Sequence, residues 1–274
     1  MSKTTKKGGQ TLGEALFSAF TLVAMLLALV ISFIVYKYVM GSPNNFEGSN
    51  PAGTPLPGNY LAMIYKGGFI VPLLMTVVLV LVIFVIERAI TISRANGKGR
   101  INVFVKQLQG YLAEDKIEDA VIACDKQRGS LANVMKAGLV RYRALQHDPN
   151  LVKDQKILAL QKEFEEATAL ELPMLSRNLV ILSTIASISV LIGLLGTVLG
   201  MIRAFGALAQ AGAPDALALA TGISEALINT AFGISGSLLG IVAYNYFSTR
   251  IDSFTYKIDE AGFSLVQSFA ATTK

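Results

Sequence analysis

The stretch RNLVILSTIASISVLIGLLGTVLGMIRAF, residues Arg177–Phe205, decides the fold. From Leu179 to Ile202 it holds no charged residue. About 20 apolar residues in helical form cross the hydrocarbon of a bilayer. Backbone groups in lipid must bond within their own segment, so the stretch reads as a transmembrane helix. Three more stretches meet the same test. Ala15–Val39 is apolar apart from hydroxyls and Lys37, Phe69–Ile86 carries no charge, and Ala226–Phe247 carries none, with Glu225 at its threshold. The whole chain agrees: of 274 residues 53% are hydrophobic and 16% charged, with a mean hydropathy of +0.53. Soluble domains carry about a quarter charged residues. The predicted fold class is therefore all-α: an integral membrane helical bundle of four transmembrane helices with long cytoplasmic helical extensions.

Composition also limits the chemistry. One cysteine (Cys124) leaves no intrachain disulfide, and with one histidine (His147) a zinc site or a Ser-His-Asp triad is not expected. No phosphate loop of the G-x-x-x-x-G-K-[ST] type occurs in the middle of the chain. His147, beside Asp148-Pro149, reads as a solvated turn residue. The chain is expected to be no enzyme and to need neither cofactor nor metal. The net charge of +5 reads as membrane topology, with no nucleic-acid partner.

Charge distribution orients the chain. The tail (1–14) has Lys3, Lys6 and Lys7 against Glu14, and the second span is followed by a cluster of arginines from Arg88 to Arg100. The loop over 41–67 has one Lys and one Glu, and the loop over 206–222 has only Asp215. Both termini and the long middle are thus placed on the cytoplasmic side, with the two loops outside. The expected order is an N-terminal span (15–40), a periplasmic loop (41–67), a second span (68–87), a cytoplasmic helical domain (88–178), a third span (179–205), a short periplasmic loop (206–222), a fourth span (223–248) and a cytoplasmic helix (249–274). The first stretch is too long for the roughly 7–15 residue core of a signal peptide, and it is read as retained. Four of the eight prolines fall between Pro43 and Pro57, which predicts an irregular, extended loop.

The middle is read as packed helices. Ile101, Phe104, Val105, Leu108, Tyr111 and Leu112 recur at helical spacing, as do Ile117, Ala120, Val121 and Cys124, then Leu131, Val134, Met135, Gly138, Leu139 and Tyr142. Cys124 is thus a core residue rather than a nucleophile. Asp148-Pro149-Asn150 is a break, and a further run follows through Ile157, Leu160, Phe164 and Ala167. Pro173 should stand in a helix's first turn or kink it. Ile251, Phe254, Ile258, Phe263 and Val266 predict that the last span continues into the cytoplasm.

Polar chemistry concentrates in the last two spans, while the first two look greasy enough to face lipid. Ser183, Ser187, Val190, Leu194, Thr197 and Met201 lie near one line of the third helix. Gly193, Gly196 and Gly200 in the third span, and Gly233, Gly236 and Gly240 in the fourth, permit close helix approach. Thr230 and Ser237 share one face of the fourth helix, and Glu225 and Asn229 another. Two readings stand for these groups. Ser183, Thr184, Ser187 and Ser189 either bond carbonyls of their own helix or line a narrow polar path. Glu225 either marks an interfacial helix start paired with Arg203, or handles protons in a wet vestibule.

The strings GLLGTVLGMIRAF (Gly193–Phe205) and GISEALINTAFGI (Gly222–Ile234) closely resemble the paired signature helices of the MotA/TolQ/ExbB proton-channel family. Phe69–Ala89, ending in Ile86-Glu87-Arg88, resembles that family's preceding span, and the likeness covers roughly residues 67–260. It implies an ExbB-like subunit that surrounds a pore with its last two spans. The implied partners are further copies of itself (a pentamer), an ExbD-like single-span protein with an intramembrane Asp, a TonB-like protein that energises outer-membrane transport, and membrane lipid. By motif position Thr197, Glu225 and Thr230 match pore-lining polar residues, with Asn229, Ser183 and Ser187 beside them. Three features depart from the family: Val190 where a proline is common, Asn229 where a small alanine is common, and an additional first span, expected to wrap the outside of the ring. The alternatives are a TolQ-like or MotA-like role, a scaffold, or a self-contained secondary transporter. The transporter lacks support, because the two halves show no internal repeat.

Overall fold

The computed structural model describes residues 12–146, 149–210 and 216–272. Lys3, Lys6, Lys7, His147, Asp148 and Asp215 lie outside them. The described residues are helical almost throughout: α1 (Leu12–Ile34), extended by a π-helical turn (Val35–Met40), α2 (Tyr60–Tyr65), α3 (Ile70–Ala95), α4 (Ile101–Ala113), α5 (Ile117–Gln127), α6 (Ser130–Gln146), α7 (Lys153–Ser176), α8 (Leu179–Gln210) and α9 (Ala216–Thr272). Among the described residues four helices are long and apolar enough to cross a membrane, as expected: α1, α3, α8 and α9. The chain divides into two compact units, residues 1–84 with 181–242, and residues 85–180 with 243–274.

The first unit holds the apolar helices. On α1 the stripe Ala24, Ala28, Ser32 is buried while Leu22, Leu26 and Val30 are exposed, so one narrow, small-residue side packs and the rest is left for lipid. The second helix is less lipid-facing than its composition suggests. Val71, Leu74, Leu81 and Phe84 are buried along one side of α3, and of its large apolar residues only Val82, Ile86 and Ile90 are exposed. The helix also outruns the expected 68–87 boundary, because nothing breaks it before Asn96 and the left-handed Gly97 (φ +72°).

The loop between α1 and α3 is not extended. Two 3₁₀ turns, Pro43–Asn45 and Glu47–Ser49, an antiparallel bridge from Phe46 to Pro55, and α2 fold it back on itself. Prolines and glycines supply the turns. The closure comes from side chains: Phe46 is 3% exposed, and Lys66 Nζ donates to the carbonyls of Pro51 (3.1 Å) and Ala52 (2.9 Å).

The second unit is a helical domain whose core follows the predicted stripes. Phe104, Leu108 and Leu112 of α4, Ala120 and Cys124 of α5, and Leu131, Val134, Met135, Leu139 and Tyr142 of α6 are all buried. Leu160 and Phe164 of α7 join them, and any Cβ at Gly138 would run into the Phe164 ring. On α9 the buried line is Ile251, Phe254, Ile258, Ala261, Leu265 and Phe269, a spacing of three or four residues. Phe263 falls off that line and is 63% exposed. The ring of Phe269 meets Tyr142 edge-on at 4.6 Å.

Pro173 neither opens a helix nor marks the break. It sits in the last turn of α7, and the chain turns at Arg177–Asn178 instead. A polar clamp holds that turn. Buried Arg88 forks onto Glu87 (2.7 and 2.6 Å) and donates to the Leu175 carbonyl (2.9 Å), while Asn178 Nδ2 donates to Glu87 (3.0 Å).

Candidate functional site

The site is built on the seam between α8 and α9, where glycine removes the side chains that would hold the helices apart. A Cβ at Gly193 would lie 3.0 Å from the Asn229 carbonyl oxygen and from Gly233 Cα. A Cβ at Gly200 would lie 3.0 Å from Ala226 Cβ, and one at Gly240 2.9 Å from Ala186 Cβ. A Cβ at Gly236 would collide with Ser189 Oγ. All six predicted packing glycines thus lie on one seam, since Gly196 faces Asn229 and Gly233 faces Ser189 and Gly193.

Close approach lets polar groups bond across the seam. Ser189 is fully buried and its hydroxyl donates to the Gly233 carbonyl on the other helix (2.9 Å). The reading that Ser189 bonds its own helix is therefore corrected. Its burial against a glycine removes the reason to bond back. Asn229 is also fully buried, above Gly196. A Cβ there would lie 2.5 Å from Asn229 Cβ. Its Nδ2 donates to the Gly67 carbonyl (2.8 Å), and its Oδ1 is buried without a hydrogen-bond partner.

One turn earlier on α9, Glu225 is 8% exposed and paired with Arg203 of α8. A buried carboxylate needs such a partner, because an unpaired charge there costs several kcal/mol. The Gly67–Gly68 turn closes over it. Gly68 holds φ +75°, and any Cβ there would collide with Glu225 Oε1 and stand 3.4 Å from Arg203 Nη1. Only glycine satisfies both the left-handed backbone and the close approach.

The remaining predicted residues lie elsewhere. Ser187 is exposed and donates to the Ser183 carbonyl four residues back (3.1 Å). Thr197, half-exposed, donates to the Leu194 carbonyl (2.6 Å). Ser183 is half-exposed on the same line, and Thr230 is half-exposed with its Oγ1 buried and unpartnered. The hydroxyl line of α8 is thus on the open surface of the first unit, running among Leu191, Leu194 and Val198. The structure separates the predicted set: Glu225 and Asn229 are held inside the unit, Ser183, Ser187 and Thr197 lie toward its surface, and half-exposed Thr230 keeps its hydroxyl buried.

Sequence reasoning missed Gly67 and Gly68 as parts of the site. The available signal was the tandem glycine directly before a span, which was read only as a boundary. Arg203 stands where the pairing alternative for Glu225 placed it.

Chemically, the site offers a carboxylate whose charge is offset by one guanidinium, an amide with a spare acceptor, and a separate line of hydroxyls. Such groups can accept, solvate and release a proton. They hold no nucleophile–base pair that would carry out covalent chemistry.

Comparison with known proteins places these features. The chain is 32% identical to the Tol-Pal system protein TolQ of Pseudomonas aeruginosa over 117 residues, which is 43% of this chain and 51% of that protein. It is 40% identical to the biopolymer transport protein ExbB of Salmonella typhimurium over 73 residues, 27% of this chain and 30% of the relative. It is 36% identical to ExbB of Helicobacter pylori over 96 residues, 35% and 66% respectively. The chain thus spans about half the length of the Pseudomonas relative, and less of the Salmonella one. The model of the MotA/TolQ/ExbB proton channel family matches residues 127–260, which hold α8, the seam glycines, Arg203, Glu225, Asn229 and Thr230. With its four apolar helices and its glycine-lined α8–α9 seam, the chain belongs to the MotA/TolQ/ExbB proton channel family.

Proposed function

We propose that this chain is an ExbB-like subunit of a proton-motive-force-driven motor in the bacterial inner membrane, with both termini cytoplasmic. Copies of it, five by family resemblance, form a ring around an ExbD-like single-span partner that carries an intramembrane Asp. Proton flow through that partner moves the two proteins relative to each other, and the motion energises TonB-dependent outer-membrane transport. The chain itself catalyses no reaction in this scheme.

One observation carries the reading. The hydroxyls Ser187 and Thr197 lie on an open apolar face of α8, and Glu225 is kept paired and buried away from it. A ring built on such faces presents hydroxyls without fixed charge, which suits proton relay to another protein's carboxylate. The chain has no Asp within its spans, so the central acid must come from a partner. The energetics are adequate: one charge crossing 100 mV releases about 2.3 kcal/mol, several times thermal energy.

A TolQ-like role in envelope maintenance is the second reading, and the TolQ name of the Pseudomonas relative favours it. Affinity purification from the native membrane in mild detergent, with mass spectrometry of what accompanies the chain, tests both. An ExbD-like partner supports the first reading, and a partner with a peptidoglycan-binding domain supports the second. Thr230→Val should abolish proton-dependent uptake without loss of assembly. Normal uptake in that variant defeats the proton-motor reading.

A further inference from the structure

The first span and the loop after it lie outside the family match, which begins at residue 127. Within the first unit they reach the Glu225 pair through a continuous set of contacts. Tyr36, in the π-helical turn that ends α1, stacks on Tyr65 with ring centroids 4.7 Å apart and planes 26° from parallel. Its hydroxyl donates to the Tyr65 carbonyl (3.1 Å). Phe46 meets the Tyr65 ring edge-on at 5.6 Å. Gly41 leaves room for that ring, since a Cβ there would lie 2.5 Å from Tyr65 Cε2.

The stack is anchored from its other side. Asn45 Nδ2 donates to the carbonyls of Val39 (2.7 Å) and Met40 (3.0 Å), which ties off the π-helical turn. Asn59 Nδ2 donates to Asn45 Oδ1 (3.0 Å), and Asn59 Oδ1 accepts from the Ala62 backbone N–H (3.1 Å), which caps α2. Tyr65 is the last residue of α2, and Gly67 and Gly68 follow it within three positions. Those glycines are the ones that accept from Asn229 and close over Glu225.

We infer that Tyr36 is a positioning residue: the first span and its loop clamp Tyr65, and through it seat the Gly67–Gly68 turn as a cover over Glu225. The inference rests on the reading of Glu225 as part of the proton-handling site. It assigns the additional span a task beyond contact with lipid, namely setting how far the carboxyl is shielded. Without the stack, the turn keeps its glycines but loses the element that holds it down.

The test reads the shielding directly. The full-length protein in mild detergent is treated with dicyclohexylcarbodiimide, whose central carbon adds the carboxyl oxygen while the acid proton passes to a carbodiimide nitrogen. The adduct on the Glu225 peptide is followed by mass spectrometry. Arg203→Gln, which unpairs the carboxyl, serves as the control that must label faster than the wild type. Tyr36→Leu, which removes the ring stack, should raise the Glu225 labelling rate about fivefold or more. Tyr36→Phe keeps the stack and should stay within about twofold of the wild type. Gly41→Ala perturbs Tyr65 from the loop side without touching α8 or α9, and it should raise labelling as Tyr36→Leu does. Equal Glu225 labelling in wild type, Tyr36→Leu and Gly41→Ala overturns the inference. The readout needs no partner or gradient. A failed uptake prediction for Thr230→Val would therefore count against the proton-motor reading alone, and unchanged labelling against the clamp alone.

Discussion

Gly233→Ala adds one methyl group where α9 meets α8. The new Cβ would lie 2.7 Å from the Ser189 carbonyl oxygen and 2.8 Å from Gly193 Cα. Carbon contacts are comfortable at about 3.5–4.0 Å, so roughly 0.7 Å or more of separation is needed. Both obstructing atoms are backbone, so no side chain can swing aside and the helices themselves must part. Overpacking of this kind costs about 1–3 kcal/mol. Separation also stretches the Ser189 hydrogen bond to Gly233, now 2.9 Å, and such bonds between membrane helices are worth about 0.6 kcal/mol. Against this, alanine is favoured over glycine within a helix by up to about 1 kcal/mol. Two backbone clashes place the overpacking term in its upper range, and the net loss is about 2 kcal/mol, a roughly thirtyfold fall in the folding constant. Unfolding in mixed micelles with rising SDS, followed by helical circular dichroism, measures it. Gly206→Ala on α8 is the control, because nothing lies within 4 Å of its Cβ position. It should be neutral or gain up to about 1 kcal/mol. A Gly233→Ala protein within about 0.5 kcal/mol of wild type, or a Gly206→Ala protein equally destabilised, would refute the close-packed seam.

Three further outcomes follow from the same contacts. Arg88→Met strands Glu87 with only Asn178 and Thr91 as partners and should destabilise the protein by about 3–5 kcal/mol, while Glu87→Gln with Arg88→Met should recover more than half in the same unfolding assay; equal losses in the single and double variants would contradict the pairing. Burial pushes the Cys124 thiol up to about 12, aided by the neighbouring Asp125, so iodoacetamide at pH 8 should modify it only after unfolding. Because the folded thiol ionises later than the unfolded one, Cys124 lowers stability as pH rises from about 9 toward 12, and Cys124→Ala should flatten that loss in alkaline unfolding curves. Ser189→Ala should cost about 0.6 kcal/mol, since it loses a bond between helices, whereas Ser187→Ala should be neutral, since its bond is to its own helix; the reverse order in denaturation would contradict the seam geometry.

The four spans, the helical middle and most of its core are properties of the amino-acid sequence alone. Their physical causes are local. A run of about 20 apolar residues has one stable form in lipid, and a stripe at helical spacing buries itself whatever it meets. Hence Phe104, Leu108, Leu131 and Leu139 are core residues from their periodicity, and Gly193, Gly196, Gly233 and Gly240 are packing residues from theirs. Phe263, five residues after Ile258, stands off the buried line that runs through Ala261 and Leu265 and is exposed.

Tertiary structure alone decided what the polar groups do. The acceptor of Ser189 lies 44 residues away and that of Asn229 162 residues away. Neither distance leaves a trace in local pattern, since a serine with an acceptor across the seam and a serine bonded to its own helix occupy the same kind of sequence. The loop shows the same limit. Its prolines and glycines foretell turns, but its closure depends on Asn45, Asn59, Phe46 and Lys66 finding partners that only the folded chain supplies. The pairing of Glu225 with Arg203, and the glycine turn that covers it, arise because three segments meet at one point. That meeting follows from how the helices pack, so it was settled by the packing and not by any one stretch of sequence.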